Sequence, residues 1–357
     1  MLDDLTDPRA LAALDARGVL RSAATAGAQV RSAAQGALEA GVAELGGRPR
    51  ALVFVRRPGV SGAAAALLGA LLGPSCPVPV VVLDAVPSWI GPLDVVVVHA
   101  DDGTDAELAD SVDLAVRRGA EVVASVPATG PVASAGAGRA RLVEPRIPVP
   151  PGLDLPRALA VGLAVLRALG LLGAPLDPAM DVLADALDAE AERNQPAHEP
   201  FMNPAKALTL RLAERTPLLW GADPLATAVA GHAASALAQH AGVVAHSADV
   251  AQGLAATGLL GALGTGGNDI FRDPFDDPAP EALRPRLVLL ATGEDDPGQA
   301  VLRRTGRTLP DPDVLHPVDE VVRGTPHAAL LRAVLLASRC DAAAVYLGLA
   351  TRAIEPA

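Results

Sequence analysis

The chain has few of the residues that mark disulfide-rich, metal-bound or membrane-spanning proteins. Cys76 and Cys340 are its only cysteines, too few for a disulfide framework or a cysteine zinc cluster. Aromatic residues make up 2% of the chain, so its core must be built from Ala, Val and Leu. The longest apolar stretch, 155–172, is interrupted by Arg157 and Arg167 and falls short of the roughly 20 apolar residues that cross a bilayer. We therefore expect no membrane span and no structural metal.

Positive charge is also scarce. Lys206 is the only lysine, and the formal net charge of the 357 residues is −12. A nucleic-acid-binding surface needs basic residues to face the phosphates, so this balance argues against a nucleic-acid partner. The acidic N-terminus lacks the basic and apolar segments of a secretion signal. The length suits two domains, and we expect a cytoplasmic protein.

Short β-branched runs alternate with helical periodicity along most of the chain, as is typical of parallel α/β sheets. Helices are expected over 8–46, before the first strand. The first group of strands is predicted at Ala51–Val55, Val78–Leu83, Leu93–Val98, Glu121–Ser125 and Arg141–Val143. Two helices over 155–193 and a polar connector follow, and a second group of strands is predicted at Pro217–Trp220, Gly242–His246, Leu287–Ala291 and Val314–His316. A loop at 259–285 interrupts this second group, and two helices, 327–338 and 342–352, end the pattern.

The pattern predicts two tandem, doubly wound parallel sheets after an N-terminal helical segment. We expect N-terminal helices over 1–47, a first α/β domain over 48–175, a helix and connector over 176–203, and a second α/β domain over 204–357. No dinucleotide-binding or P-loop fingerprint is present, so no cofactor is expected.

Ligands of parallel α/β sheets bind where strand ends meet helix N-termini, and three such junctions carry hydroxyl groups. At the first, Gly59, Ser61 and Gly62 offer a hydroxyl and backbone N–H groups that suit a phosphate, and the alternative is an ordinary tight turn. At the second, Thr104 follows Asp101 and Asp102, whose carboxylates would repel a phosphate, and helix capping is the alternative. Thr129 lies in a third turn.

These junctions and the order of elements resemble the sugar isomerase (SIS) domain, in particular the bifunctional phosphoglucose/phosphomannose isomerases and their TobH-like actinobacterial branch. The family loop Gly-Met-Gly-Gly-Ser-Gly falls on 57–62, and its phosphate loop Ser-Tyr-Ser-Gly-Asn-Thr falls on 99–104. The resemblance covers nearly the whole chain. It implies a phosphosugar ligand, a homodimer, substrate contacts at Gly59, Ser61, Gly62, Thr104 and Thr129, and a catalytic histidine at His246.

The departures from this family concern the chemistry. Both serines of the phosphate loop are replaced, by His99 and Asp101, and the position of the family's catalytic glutamate falls near Ser235. Aldose–ketose isomerisation needs a base that moves a proton between C1 and C2. His246 at a predicted strand end is the remaining acid–base candidate, although such a histidine is often only a packed side chain. A metal site of His240, His246 and Asp249 has unspecific spacing.

Two functions follow as hypotheses. The first is a sugar-phosphate isomerase that converts glucose 6-phosphate or mannose 6-phosphate to fructose 6-phosphate with weakened catalysis. The second is a catalytically inactive SIS-fold protein that binds a phosphosugar or acts as a regulator.

Overall fold

The computed structural model describes residues 5–173, 179–265 and 284–354 of the chain. These residues form an α/β structure with two separate parallel sheets, as the alternating pattern predicts. The first sheet contains β1 (Ala51–Val55), β2 (Val80–Leu83), β3 (Asp94–His99), β4 (Glu121–Ser125) and β5 (Arg141–Leu142). The second contains β6 (Thr216–Gly221), β7 (His246–Asp249), β8 (Pro285–Leu290) and β9 (Asp313–Leu315).

Helices connect and cover the strands. The first half of the chain contains α1 (Pro8–Leu14), α2 (Val19–Ala23), α3 (Ala26–Glu39), α4 (Ser61–Leu72), α5 (Ala106–Arg117), α6 (Pro131–Ala135), α7 (Leu155–Ala168) and α8 (Met180–Arg193). The second half contains α9 (Pro204–Leu212), α10 (Pro224–Ala241), α11 (Val250–Ala255), α12 (Thr257–Thr265), α13 (Pro297–Thr305) and α14 (Ala328–Ala350).

The strand order is β2-β1-β3-β4-β5 in the first sheet and β7-β6-β8-β9 in the second. All strand pairs are parallel, so the carboxyl ends of each sheet's strands lie along one edge. Two compact units hold the sheets: a first unit, Arg21–Ala191, and a second unit of Met1–Leu20 with Glu192–Ala357.

The first sheet is buried because its strands are continuous apolar runs. Every residue of β1 and β3 is buried, and valines of both strands pack with Leu108 and Val112 of α5 in one core. In a separate group of helices, α7 packs against α3 and α4. Gly162 of α7 lies so close to α4 that a Cβ at this position would meet the Leu68 side chain. Helix α3 of the predicted N-terminal segment therefore belongs to the same compact unit as this sheet.

The second unit is centred on α14, and nearly all of this helix is buried. A predicted break separated two helices near residue 340, but α14 continues through it. The polar residues at the predicted break have partners, since Asp341 bonds His232 of α10 at 2.7 Å and Arg339 bonds Glu320 at 2.5 Å. Helix α14 is long and apolar enough to cross a membrane, but 94% of its most apolar window is buried within the protein, as in a core helix.

Two further predictions differ from the structure. The strand predicted at Gly242–His246 is wrong, because Gly242 ends α10 in a left-handed conformation and the strand runs over His246–Asp249 instead. The predicted loop 259–285 begins inside α12, and its positions 266–283 lie outside the described residues.

Candidate functional site

At the first junction, the Ser61 side chain forms hydrogen bonds within its own loop. Its hydroxyl accepts the Arg57 N–H at 2.7 Å and donates to the Arg57 carbonyl at 2.7 Å, so one side chain satisfies both main-chain groups of the loop. Gly59 adopts a φ of +99°, which the turn requires, and Gly62 lies against the Arg56 side chain. The hydroxyl predicted to hold a phosphate is therefore part of the loop's own hydrogen bonding.

The two arginines of this loop are paired with carboxylates. Arg57 forms a bidentate pair with Asp105, at 2.6 and 2.9 Å, and also bonds Glu107 at 2.9 Å. Asp105, rather than Thr104 or Asp102, caps α5. The hydrogen bond between Asp105 and Arg57 raises the pKa of the Arg57 guanidinium above its ordinary value. Arg56 forms an exposed bidentate pair with Asp84.

At the second junction, Thr104 is held by its neighbour Asp102. Both the backbone N–H and the hydroxyl of Thr104 donate to one Asp102 oxygen, at 2.7 and 2.6 Å. These bonds lower the pKa of Asp102, because they favour the ionised carboxylate. The Thr104 hydroxyl is thus exposed but directed to a carboxylate in the free protein.

The third junction touches the second through glycines. A Cβ on Gly130 would lie 2.6 Å from the Gly103 carbonyl oxygen, and Gly130 has a φ of +104°. The same carbonyl accepts the Val132 N–H at 3.3 Å. Only glycine allows this approach, and it brings the loop with exposed Thr129 beside the loop with Thr104.

A mostly buried charged cluster lies at the ends of β3 and β4, and few features of the sequence indicate it. His99 at the end of β3 contacts Ser125 at the end of β4 through Nδ1 at 3.1 Å, and Asp154 before α7 through Nε2 at 2.6 Å. Arg157, in the first turn of α7, donates through Nη2 to Asp154 at 3.0 Å and to Asp101. We call these five residues the His99 cluster.

The two carboxylates of the His99 cluster are in different electrostatic states. Burial disfavours the Asp154 carboxylate, but His99 and Arg157 outweigh it and hold the pKa of Asp154 at about 2. Burial, followed by the charge of Asp154, raises the pKa of Asp101 despite Arg157. Asp154 is therefore the more readily ionised carboxylate of the pair, and Asp101 is the less readily ionised one.

His99, Asp101 and Asp154 place three ligand-type atoms within 4.8 Å of one another. The guanidinium of Arg157 already donates to both carboxylates, so Arg157 supplies the positive charge that a metal ion would otherwise provide. For the alternative site of His240, His246 and Asp249, Asp249 is engaged as the N-cap of α11.

His246, the predicted catalytic residue, begins β7 rather than ending a strand. It pairs in register with Leu218 in the middle of β6, and Asp249 is the last residue of β7, at the carboxyl edge. Its Nδ1 accepts a hydrogen bond from the Trp220 indole at 3.2 Å, and the two rings meet edge to face. An Nδ1 that accepts is unprotonated and already engaged, so Nε2 carries the proton. Ser235, at the position of the missing glutamate, bonds its own helix.

At the carboxyl edge of the second sheet, buried and half-buried side chains make hydrogen bonds to main-chain groups of the loops. Asp223, after β6, accepts the Thr292 N–H and hydroxyl at 2.7 Å each, and the Gly293 N–H at 3.3 Å. Arg332 of α14 is fully buried and donates to the carbonyls of Thr292, Gly293 and Val321 at 2.7–3.1 Å.

In the sequence, the only indication of these buried charged residues is their position within or beside apolar segments. Arg157 interrupts an apolar run, and Asp154 stands directly before the helix. Their partners in the His99 cluster lie up to 56 residues away, so spacing alone could not pair them.

Solved structures share this fold at low sequence identity. A candidate phosphosugar isomerase from Silicibacter pomeroyi is 16% identical, with a TM-score of 0.59 over 95% of this chain and 99% of its own. The C-terminal domain of glucosamine-fructose-6-phosphate aminotransferase from Francisella tularensis is 12% identical, with a TM-score of 0.57 over 93% of this chain and 96% of its own. Tagatose-6-phosphate ketose/aldose isomerase from Escherichia coli is 14% identical, with a TM-score of 0.50 over 93% and 90%.

No family model and no curated protein matches the sequence. Identities this low establish the shared architecture and leave function to the site itself. The two parallel sheets of this chain, each wound with helices, therefore have the fold of SIS-type phosphosugar isomerases.

Proposed function

We propose that the chain is a phosphosugar-binding protein of the SIS type that isomerises glucose 6-phosphate or mannose 6-phosphate to fructose 6-phosphate slowly. In this proposal the ligand contacts Gly59, Ser61, Gly62, Thr104 and Thr129. The TobH-like branch is the proposed subgroup, and a homodimer is proposed because the resemblance implies sites formed between subunits.

The observation that carries the proposal is the meeting of three loops at the carboxyl edge of the first sheet. The Arg57–Asp105 pair joins the loops after β1 and β3, and the Gly103–Gly130 contact joins the loops after β3 and β4. Ligands of parallel sheets bind at this edge.

Isomerisation at such a site moves two protons. The proton on C2 of the open-chain aldose goes to C1, and the proton of the C2 hydroxyl goes to the C1 oxygen, so substrate and product are isomers. His246 is proposed as the acid–base residue only because the resemblance implies it. Slow turnover is expected because α10 has no carboxylate after its cap at Asp223, and loss of a general base typically lowers rates by about 10²–10⁴.

A second candidate is phosphosugar binding without catalysis. It is favoured by the hydrogen bond from Trp220 to His246 Nδ1, which occupies the nitrogen that would take a proton. It is also favoured by Arg57, whose charge two carboxylates already neutralise.

The test follows conversion of mannose 6-phosphate to fructose 6-phosphate by NMR for the wild type and His246→Ala. His198→Gln is the matched control, because this half-buried histidine bonds a backbone carbonyl in the connector. We expect slow turnover in the wild type and control, and none in His246→Ala. Unchanged turnover in His246→Ala would overturn the catalytic assignment.

Thermal unfolding with added mannose 6-phosphate separates the remaining cases, since a ligand of the folded state raises the melting temperature. Stabilisation without any turnover selects the second candidate. The absence of both turnover and stabilisation would overturn the proposed function. A monomer in sedimentation would overturn the proposed homodimer.

A further inference from the structure

Arg157 is a buried guanidinium whose donors are incompletely used. Its side chain is 7% exposed, and Nη2 donates to both Asp101 and Asp154. Its Nε finds no hydrogen-bond partner among the described residues. Guanidinium groups present a fork of donors that matches carboxylate or phosphate oxygens, so an oxyanion with two oxygens could use this group more fully.

The two carboxylates on Arg157 differ in how firmly they are held. Asp154 is buried, and His99 binds the same oxygen at 2.6 Å, while His99 is itself placed by Ser125. Asp101 lies on the loop after β3, and its side chain is 33% exposed. Asp101 is therefore the partner of Arg157 that faces solvent and can leave.

Charge decides which kind of ligand the site can take. Replacing the Asp101 carboxylate by another carboxylate, or by a singly ionised phosphate group, leaves the number of charges around Arg157 unchanged. A metal ion would have to displace the buried guanidinium from both carboxylates, which leaves that charge without a partner at a large cost in free energy. The exchange therefore favours an anion.

We propose that Arg157 is a latent oxyanion-binding residue at the carboxyl edge of the first sheet, and that Asp101 occupies its place in the free protein. A phosphate or carboxylate group of a ligand would displace Asp101 and bind Arg157 from the solvent side. The ligand's identity as a phosphosugar rests on the proposed function, but the anion site itself does not.

The electrostatic state of Asp101 supports this exchange. The groups that face it are Asp154 and Arg157 of the α7 start, with His99 of β3 behind them. Burial and the negative charge of Asp154 raise the pKa of Asp101, so the carboxylate form of Asp101 is less stable here than in water. Departure of this carboxylate into solvent restores its hydration.

The test removes the internal anion and measures binding of inorganic phosphate and of acetate by calorimetry. Asp101→Asn keeps the side-chain shape, and Asp101→Ser repeats the test with a smaller side chain. Asp113→Asn is the matched control, because it removes a carboxylate that pairs at 2.6 Å with an exposed arginine, Arg117 of α5. Melting temperatures confirm that each variant folds.

We expect both Asp101 variants to bind at least one of the two anions about tenfold more tightly than wild type, and Asp113→Asn about twofold or less. The gain should disappear in Asp101→Asn/Arg157→Gln. Equal affinities of the Asp101 and Asp113 variants for both anions would overturn the proposal, and so would a gain that survives loss of Arg157.

A parallel titration with mannose 6-phosphate separates this inference from the proposed function. If Asp101→Asn gains affinity for phosphate but binds the sugar phosphate no better than phosphate, the anion site stands and the sugar site fails. If the wild type binds the sugar phosphate and the Asp101 variants gain nothing, the proposed function stands and the latent site fails.

Discussion

The carboxyl edges of the two sheets have similar architecture and different chemistry. At the first edge, charged side chains bind one another: Arg57 with Asp105, and Arg157 with Asp101 and Asp154. At the second edge, Asp223 and Arg332 bind main-chain N–H and carbonyl groups of the loop after β8, and Arg332 also pairs with Glu294 at 3.0 Å. Ion pairs between side chains therefore connect the loops of the first edge, whereas most bonds of Asp223 and Arg332 at the second edge are to the main chain.

This difference indicates which edge can accept a ligand. An oxyanion can replace a carboxylate on a guanidinium without loss of pairing, and the Asp101 side chain is partly exposed. Main-chain groups bonded to Asp223 and Arg332 would be left unsatisfied if either side chain moved, at about 1–3 kcal/mol for each buried group. We therefore place the ligand's anionic group at the first edge and assign a structural role to Asp223 and Arg332 at the second.

The largest effect that tests the structural role is expected at Arg332. Arg332→Met removes the donors to the buried carbonyls of Val321 and Thr292 and to the half-buried carbonyl of Gly293, so we expect the free energy of unfolding to fall by about 3 kcal/mol or more. Urea unfolding measures it. The control Arg303→Met removes an exposed pair with Asp295 and should change stability by about 0.5 kcal/mol or less. Equal effects of the two variants would break the contrast between the edges.

A smaller effect is expected where the loops of the first edge meet. Gly130→Ala places a Cβ 2.6 Å from the Gly103 carbonyl at a φ of +104°, so we expect a loss of about 1–3 kcal/mol and a weaker response to mannose 6-phosphate. Gly138→Ala is the control, because Gly138 also has a positive φ, of +75°, but no atom lies within 4 Å of the position of its Cβ. If both variants lose the same stability, the contact between the loops contributes nothing.

The smallest effect concerns pH and the helix layer of the second unit. Burial lowers the pKa of His240, with His232 adding to the shift and Asp341 opposing it. The unfolded chain therefore takes up the proton at higher pH than the folded protein, and stability should fall as pH decreases below the ordinary histidine pKa of about 6.5. Urea midpoints across this range should fall less steeply in His240→Gln. An identical slope in the variant would assign the acid sensitivity to other groups.

Much of the fold could be predicted because buried parallel strands are short β-branched runs that the sequence displays directly. The strands over 51–55 and 121–125 agree with the prediction residue for residue. The strand near His246 was misplaced because Gly242-Val243-Val244 has strand-like composition, whereas the left-handed Gly242 directs the chain out of α10. The break expected near Asp341 was wrong because partners on α10 and beyond allow polar residues inside a buried helix.

The candidate site was less accessible to sequence reasoning. The junction glycines and hydroxyls could be identified from their positions after strands. Their hydrogen-bond partners could not, because whether Thr104 faces a ligand or Asp102 depends on local backbone geometry. The pairing of Arg157 with Asp101 joins a helix start to a distant loop, and only the three-dimensional packing reveals it.

Hydrogen exchange followed by mass spectrometry, with and without mannose 6-phosphate, tests most directly whether the ligand binds the first edge. Bound ligand should slow exchange of the backbone amides in the loops 100–105 and 127–131. We expect the loops 222–226 and 291–295 at the second edge to exchange at unchanged rates. Protection confined to the second edge would contradict the assignment of the ligand site to the first sheet.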